Sequence, residues 1–137
     1  MLDLDVDVRV LVGEVVVLLR GGRVVLDGHA DVGDPGDHGV ALLDIPADAF
    51  RDRTFEVAVD FAVKSLPDAD GPWHELRVLV NGAQQWSRRV PTHPDGGDSL
   101  DYRMRRTVPL GEPLRINAVT EVHRVRRVRL RVVADEE

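Results

Sequence analysis

Cysteine is absent from the 137 residues, which removes disulfides, thiolate zinc sites and a cysteine nucleophile together. Lysine is almost missing as well: Lys64 is the single one among 18 basic residues, a bias that fits GC-rich coding better than any function. No apolar run approaches the roughly 20 residues that span a bilayer, so no membrane partner is expected. The opening "MLDLDVDVRV" lacks the basic stretch and apolar core of a signal peptide, and a cytoplasmic location is the default expectation. Helical periodicity holds over three turns nowhere. The nucleophile elbow, the His-Glu-x-x-His pair, the phosphate loop and the dinucleotide fingerprint are all missing. An enzyme would therefore have to assemble its site from separate loops, and a non-catalytic role is preferred.

The composition that remains is that of a folded protein. Hydrophobic residues make up 43% and charged residues 31%, and a chain of this length can bury a core without staples. One domain spanning residues 1–137 is expected. The formal net charge is −6, unevenly placed: residues 1–70 carry net −9 and residues 71–137 net +3. An acidic surface repels phosphate backbones, so nucleic acid is an unlikely partner in spite of the late arginines.

Alternation with a period of two runs through most of the chain. "LDLDVDVRV" sets Leu2, Leu4, Val6, Val8 and Val10 against Asp3, Asp5, Asp7 and Arg9, a strand with one wet face. "RTFEVAVDFAVK" puts Phe55, Val57, Val59, Phe61 and Val63 on one face. Gly21-Gly22 and Asn81-Gly82 each mark a two-residue hairpin, because both turn positions need positive φ. "PADAF" reads as a helical turn or a bend, and "SLPDADGPW" and "PTHPDGGDS" as loops. Eight to ten short strands between such turns predict an all-β, antiparallel β-sandwich, jelly-roll or immunoglobulin-like, with a small closed β-barrel as the alternative.

Two constellations could carry function. In "DGHADVGDPGDHG", residues 27–39, Asp31, Asp34, Asp37 and His38 could offer oxygen and nitrogen ligands to calcium or another cation. The spacing fits neither a calcium loop nor a zinc motif, and Asp, Gly and Pro are the ordinary residues of turns. A polar surface turn with no bound cofactor is the preferred reading. Trp73, Trp86 and Tyr102 lie in polar company, where flat rings could bind a sugar or anchor an interface. In the Asn81-Gly82 hairpin Trp86 is expected opposite Arg77, as a cation–π pair.

Two long-range expectations complete the reading. Asp3, Asp5 and Asp7 alternate in step with Arg127, Arg129 and Arg131, so the two strands are expected to pair in one sheet, with Leu4 and Val6 sharing a core with Val128 and Leu130. The hairpin of residues 14–27 is apolar in both phases, so its second face needs a cover, and a homodimer is the simplest. Together these features point to a recognition or assembly module that binds a protein partner or itself. A calcium-dependent or carbohydrate-binding module and a small β-barrel enzyme with a His/Asp loop site are the alternatives.

Overall fold

The alternation becomes ten strands: β1 (Asp7–Val10), β2 (Glu14–Arg20), β3 (Arg23–His29), β4 (Val40–Ile45), β5 (Arg53–Ser65), β6 (Trp73–Val80), β7 (Ala83–Pro91), β8 (Gly97–Val108), β9 (Leu114–His123) and β10 (Val125–Glu136). The computed structural model describes residues 7–10, 14–20, 23–29, 39–45, 47–94 and 96–137, and the first three of these segments by backbone course and pairing alone. The strands form two five-stranded antiparallel sheets, ordered β1-β4-β9-β6-β7 and β2-β3-β10-β5-β8.

The pairing is nested. β6 pairs with β7, β5 with β8, β4 with β9 and β3 with β10, which is one long hairpin folded over on itself. That is the jelly-roll version of the β-sandwich. Both sheets keep free edges, β1 and β7 in the first and β2 and β8 in the second, so the closed-barrel alternative is excluded. Asn81 (φ 49°) and Gly82 (φ 84°) both take the positive φ of the expected turn, and Val80 faces Ala83 across it. β2 and β3 likewise close on Arg20 and Arg23, leaving two residues between them. Residues 47–50 of "PADAF" form no helix; Phe50 N donates to Asp48 Oδ1 at 2.8 Å, so a side chain supplies the bend.

The core lies between the sheets. On β5, Phe55, Val57, Val59, Phe61 and Val63 are all buried, the phase that the alternation picked out. They meet Leu43 and Ile45 of β4, Leu76, Val78 and Val80 of β6, and Leu114, Ile116 and Ala118 of β9. At one end the core turns polar. Ser65, His74, Thr92 and Thr120, the buried polar residues among those described, all sit where β5, β7 and β9 finish and β6 begins. Thr120 Oγ1 donates to Gly39 O at 2.7 Å, and Arg127 Nε donates to Thr120 Oγ1 at 2.9 Å. Gly39 has φ +54°, and a Cβ there would collide with Thr120 Oγ1 and the Arg127 side chain. This tie fixes where the 27–39 stretch re-enters the first sheet.

The pairing expected between the first and last strands fails. β1, with Asp7, pairs with β4 in the first sheet, whereas β10 belongs to the second, so the two strands form no charge ladder; Asp3 and Asp5 lie outside the described residues. The arginines of β10 do not share a face either. The register slips between Arg127 and Arg129, so Arg127 turns inward to Thr120, and Val128 is pushed out to 39% exposure instead of joining the core. One bulged residue reverses the alternation on each side of it, and that is invisible in a period-two pattern.

Candidate functional site

β6 carries Trp73, Glu75, Arg77 and Leu79 in its outward phase and His74, Leu76, Val78 and Val80 inward. On the outer face of the first sheet Trp73 stands opposite His123 of β9, stacked at 5.8 Å between centroids and 17° between planes. From the other flank, β7, the Arg89 guanidinium lies 3.8 Å from the Trp73 ring centroid. Both neighbours of Trp73 are thus supplied by the strands beside it. Below them Arg77 Nη2 donates to Glu121 Oε1 at 2.6 Å and Arg89 Nε to Glu75 Oε1 at 3.2 Å. Arg77 Nε approaches Glu75 Oε2 at 3.3 Å without hydrogen-bond alignment, and Arg89 Nη2 approaches Glu121 Oε2 at 3.6 Å. Two acids and two bases so form a closed lattice. Each exposed pair contributes only a few tenths of a kcal/mol to about 1 kcal/mol; what the lattice provides is fixed orientation.

Further along the same face the outward positions are aliphatic. Val40 and Leu42 of β4, Leu79 of β6 and Val119 of β9 are all half-buried, and their registers adjoin: Val40 with Val119, Leu42 with Asn117, Leu79 with Asn117. The face ends in a cavity of about 500 Å³ lined by Asp44, Asn81, Glu112, Pro113, Arg115 and Asn117. Arg115 Nε donates to Asp44 Oδ1 at 2.6 Å, and that hydrogen bond and charge raise the Arg115 pKa further above its ordinary value. Asn81 is used up as scaffold, accepting from Arg115 N at 2.7 Å and donating to Pro113 O at 3.1 Å.

The three aromatic residues singled out in the sequence do not converge. Trp73 belongs to the outer face. Trp86 of β7 and Tyr102 of β8 stack on each other, 4.8 Å between centroids and 18° apart, and pack against the core, closing the side of the sandwich between the two edge strands. The expected Arg77–Trp86 pair does not form, because a register shift between Val78 and Leu79 sets Trp86 opposite Val78. The cation–π contact is Arg89 on Trp73 instead. Asp31, Asp34, Asp37 and His38 lie outside the described residues. Asp27, Gly28 and His29 are the last residues of β3, paired with β2 and, for Asp27 and Gly28, with β10, so the stretch read as one turn begins within a strand. Among the described residues no group of three or more His, Asp or Glu comes together that could hold a metal ion.

His74, Arg89 and His123 went unrecognised. The alternation of Trp73, Glu75 and Arg77 already put these three side chains on one face; their partners on β7 and β9 depend on strand pairing that one sequence does not display.

No known family matches the chain, and no characterised protein matches it in sequence. Similar solved structures include dimeric latent PorU from Porphyromonas gingivalis, at 14% identity and a TM-score of 0.42, covering 90% of this chain. The chain spans 13% of that protein's length. A family 35 carbohydrate binding module from Clostridium thermocellum has 14% identity and a TM-score of 0.35, with 87% of this chain and 97% of that one covered. A structure described as "CBM4 structure and function" has 15% identity and a TM-score of 0.31, over 91% of this chain and 78% of that one.

Proposed function

We propose that this chain is a non-catalytic recognition module that binds a protein partner across the outer face of its first sheet. The observation that carries the reading is the aliphatic strip of Val40, Leu42, Leu79 and Val119, half-exposed between an ordered Trp–Arg–His stack and a mixed polar cavity. An apolar centre with a polar rim, and with Trp and Arg held in place, is the anatomy of a protein interface. A sugar platform needs an open ring face, whereas Trp73 has ring and guanidinium neighbours from both flanking strands and Trp86 and Tyr102 cover each other. Catalysis needs a reactive group open to substrate; buried His74 is bonded to Thr92, and Asp44 in the cavity is already paired with Arg115.

The test is site-directed photo-crosslinking in extracts of the native host. A benzophenone amino acid replaces Leu79 on the proposed face and, as a control, Asp101 on the outer face of the second sheet. A discrete protein adduct formed through position 79 and not through position 101 supports the reading. Equal labelling at both positions sinks it. So does saturable binding to soluble polysaccharides that Trp73→Ala abolishes, which would make the module a carbohydrate binder.

A further inference from the structure

We propose that His74 is an acid-operated latch: neutral, it holds residues 92–94, where the chain leaves β7, against the sandwich, and on taking a proton it lets them go. His74 has no exposed surface. Its Nδ1 is hydrogen-bonded to Thr92 Oγ1 at 2.7 Å, and its Nε2 is buried with no partner among the described residues. Phe61 of β5 stands edge-on to the ring, 6.1 Å between centroids at 68°, and the register neighbours are Val90 of β7 and Val122 of β9. A proton would place a charge and an unanswered N–H in these apolar surroundings, a costly state. Burial accordingly lowers the His74 pKa below its ordinary 6.5, while the charge of Asp98 on β8 works in the opposite sense.

Asp98 offers the cation no easy refuge. Its Oδ2 accepts from His93 N at 3.0 Å and its Oδ1 from Ser99 N at 2.8 Å. These two bonds, with the charges of His74 and His93, keep the Asp98 carboxyl below its ordinary value against the desolvation that opposes them. The imidazolium therefore has two ways to lower its energy, and both loosen the same loop. It can break from Thr92 and move toward water, freeing the start of the loop. Alternatively Asp98 can swing to meet it, which releases His93 N or Ser99 N. Other ties on the same loop include Ser65 Oγ to Pro94 O at 2.9 Å and Thr92 N to Pro72 O at 2.9 Å. His74 and Thr92 adjoin Trp73 and Pro91, which face each other across β6 and β7. Release would therefore reach the stacked end of the recognition face, a consequence that rests on the function proposed above; the latch itself does not.

The experiment follows the imidazole resonances of the five histidines by NMR from pH 8 to pH 4.5, together with amide exchange at His93 and Ser99 corrected for intrinsic rate. The latch predicts that His74 titrates below 6.5 and that the opening population seen at one or both amides rises in step with it. The rise should be about tenfold for each unit by which burial depresses the pKa. His74→Phe should flatten the dependence, and His93→Asn should leave it in place. If His74→Phe does not fold, the wild-type titration still decides. Amide protection unchanged through the His74 transition overturns the latch, as does a His74 that titrates at its ordinary value. Loss of partner crosslinking at position 79 at low pH tests the link to the recognition face separately. A loop that opens while crosslinking persists would keep the latch and break only that link.

Discussion

At the scale of single residues, two contacts have consequences larger than their size. Gly39 has φ +54° and no room for a Cβ beside Thr120 and Arg127, so Gly39→Ala suffers both backbone strain and a collision. We expect a loss of about 1–3 kcal/mol, read as a lower urea midpoint at unchanged slope; a midpoint equal to wild type would show that the tie is slack. Arg53 and Glu136 form a two-pronged pair, Nε to Oε2 at 3.0 Å and Nη2 to Oε1 at 3.1 Å, with side chains only 9% and 4% exposed. Removing one member strands a buried charge, so Glu136→Leu should cost about 3–5 kcal/mol. The double change Arg53→Met/Glu136→Leu should recover most of that, because the desolvation cost leaves with the pair. Chemical denaturation of wild type and these two variants reads the recovery directly, and a double variant no better than the single one would refute this account. Neither contact is legible beforehand. Gly39 sits in a string of turn residues, and Arg53 and Glu136 are 83 residues apart.

At the scale of elements, the strands themselves were legible because burial writes a period of two directly into β4, β5, β6 and β9. The positive-φ demand of Asn81-Gly82 likewise gave away its hairpin. What escaped were the two places where the period is interrupted, near Gln85 in β7 and near Val128 in β10. A bulge inserts one residue without changing composition, so only the pairing partner reveals it. The Trp73–Arg89–His123 stack was hidden for the same reason: it needs the order β9-β6-β7, which no local pattern encodes. The bulge in β7 is itself testable. Val80 faces Ala83, Leu79 faces Gln84 and Val78 faces Trp86, so Gln85 is the extra residue and its deletion keeps Trp86 in the inward phase. Deleting Gln85 should therefore preserve the Trp86–Tyr102 stack. Inserting one alanine after Gln85 should, in an unbroken ladder, move Trp86 from the row of Val78 to that of Leu76, still inward but parted from Tyr102, and cost at least the 0.5–1.5 kcal/mol or so of an aromatic pair. Tryptophan fluorescence and melting temperature report both; a deletion as damaging as the insertion would refute this register argument.

For the whole molecule, acid should weaken the fold in two stages. The His74 pKa is lowered by folding, so its contribution is complete above about pH 6.5 and drains away below it, by about 1.4 kcal/mol per pH unit until the folded value is reached. Asp98 is also lowered, from 3.8, so its contribution survives that first decline and is lost only as the pH falls below that value. Assembly is the remaining property of the whole. β2 is an edge strand of the second sheet, and the apolar run Val15–Leu19 is hydrophobic in both phases, so one phase needs a cover beyond the core. Val17 shares a register row with Leu26 and Val132, and Leu18 with Val25 and Val133. Val132 belongs to the core cluster, which puts Leu18 in the row of the opposite phase. A dimer built on this hairpin should be dissociated by Leu18→Glu and left intact by Leu79→Glu, which alters the outer face of the first sheet instead. A dimer built on the recognition face reverses the two outcomes. Sedimentation equilibrium from low to high micromolar concentration separates them: we expect wild type and Leu79→Glu to associate and Leu18→Glu to remain monomeric. A wild-type chain that stays monomeric throughout would end the case for self-association.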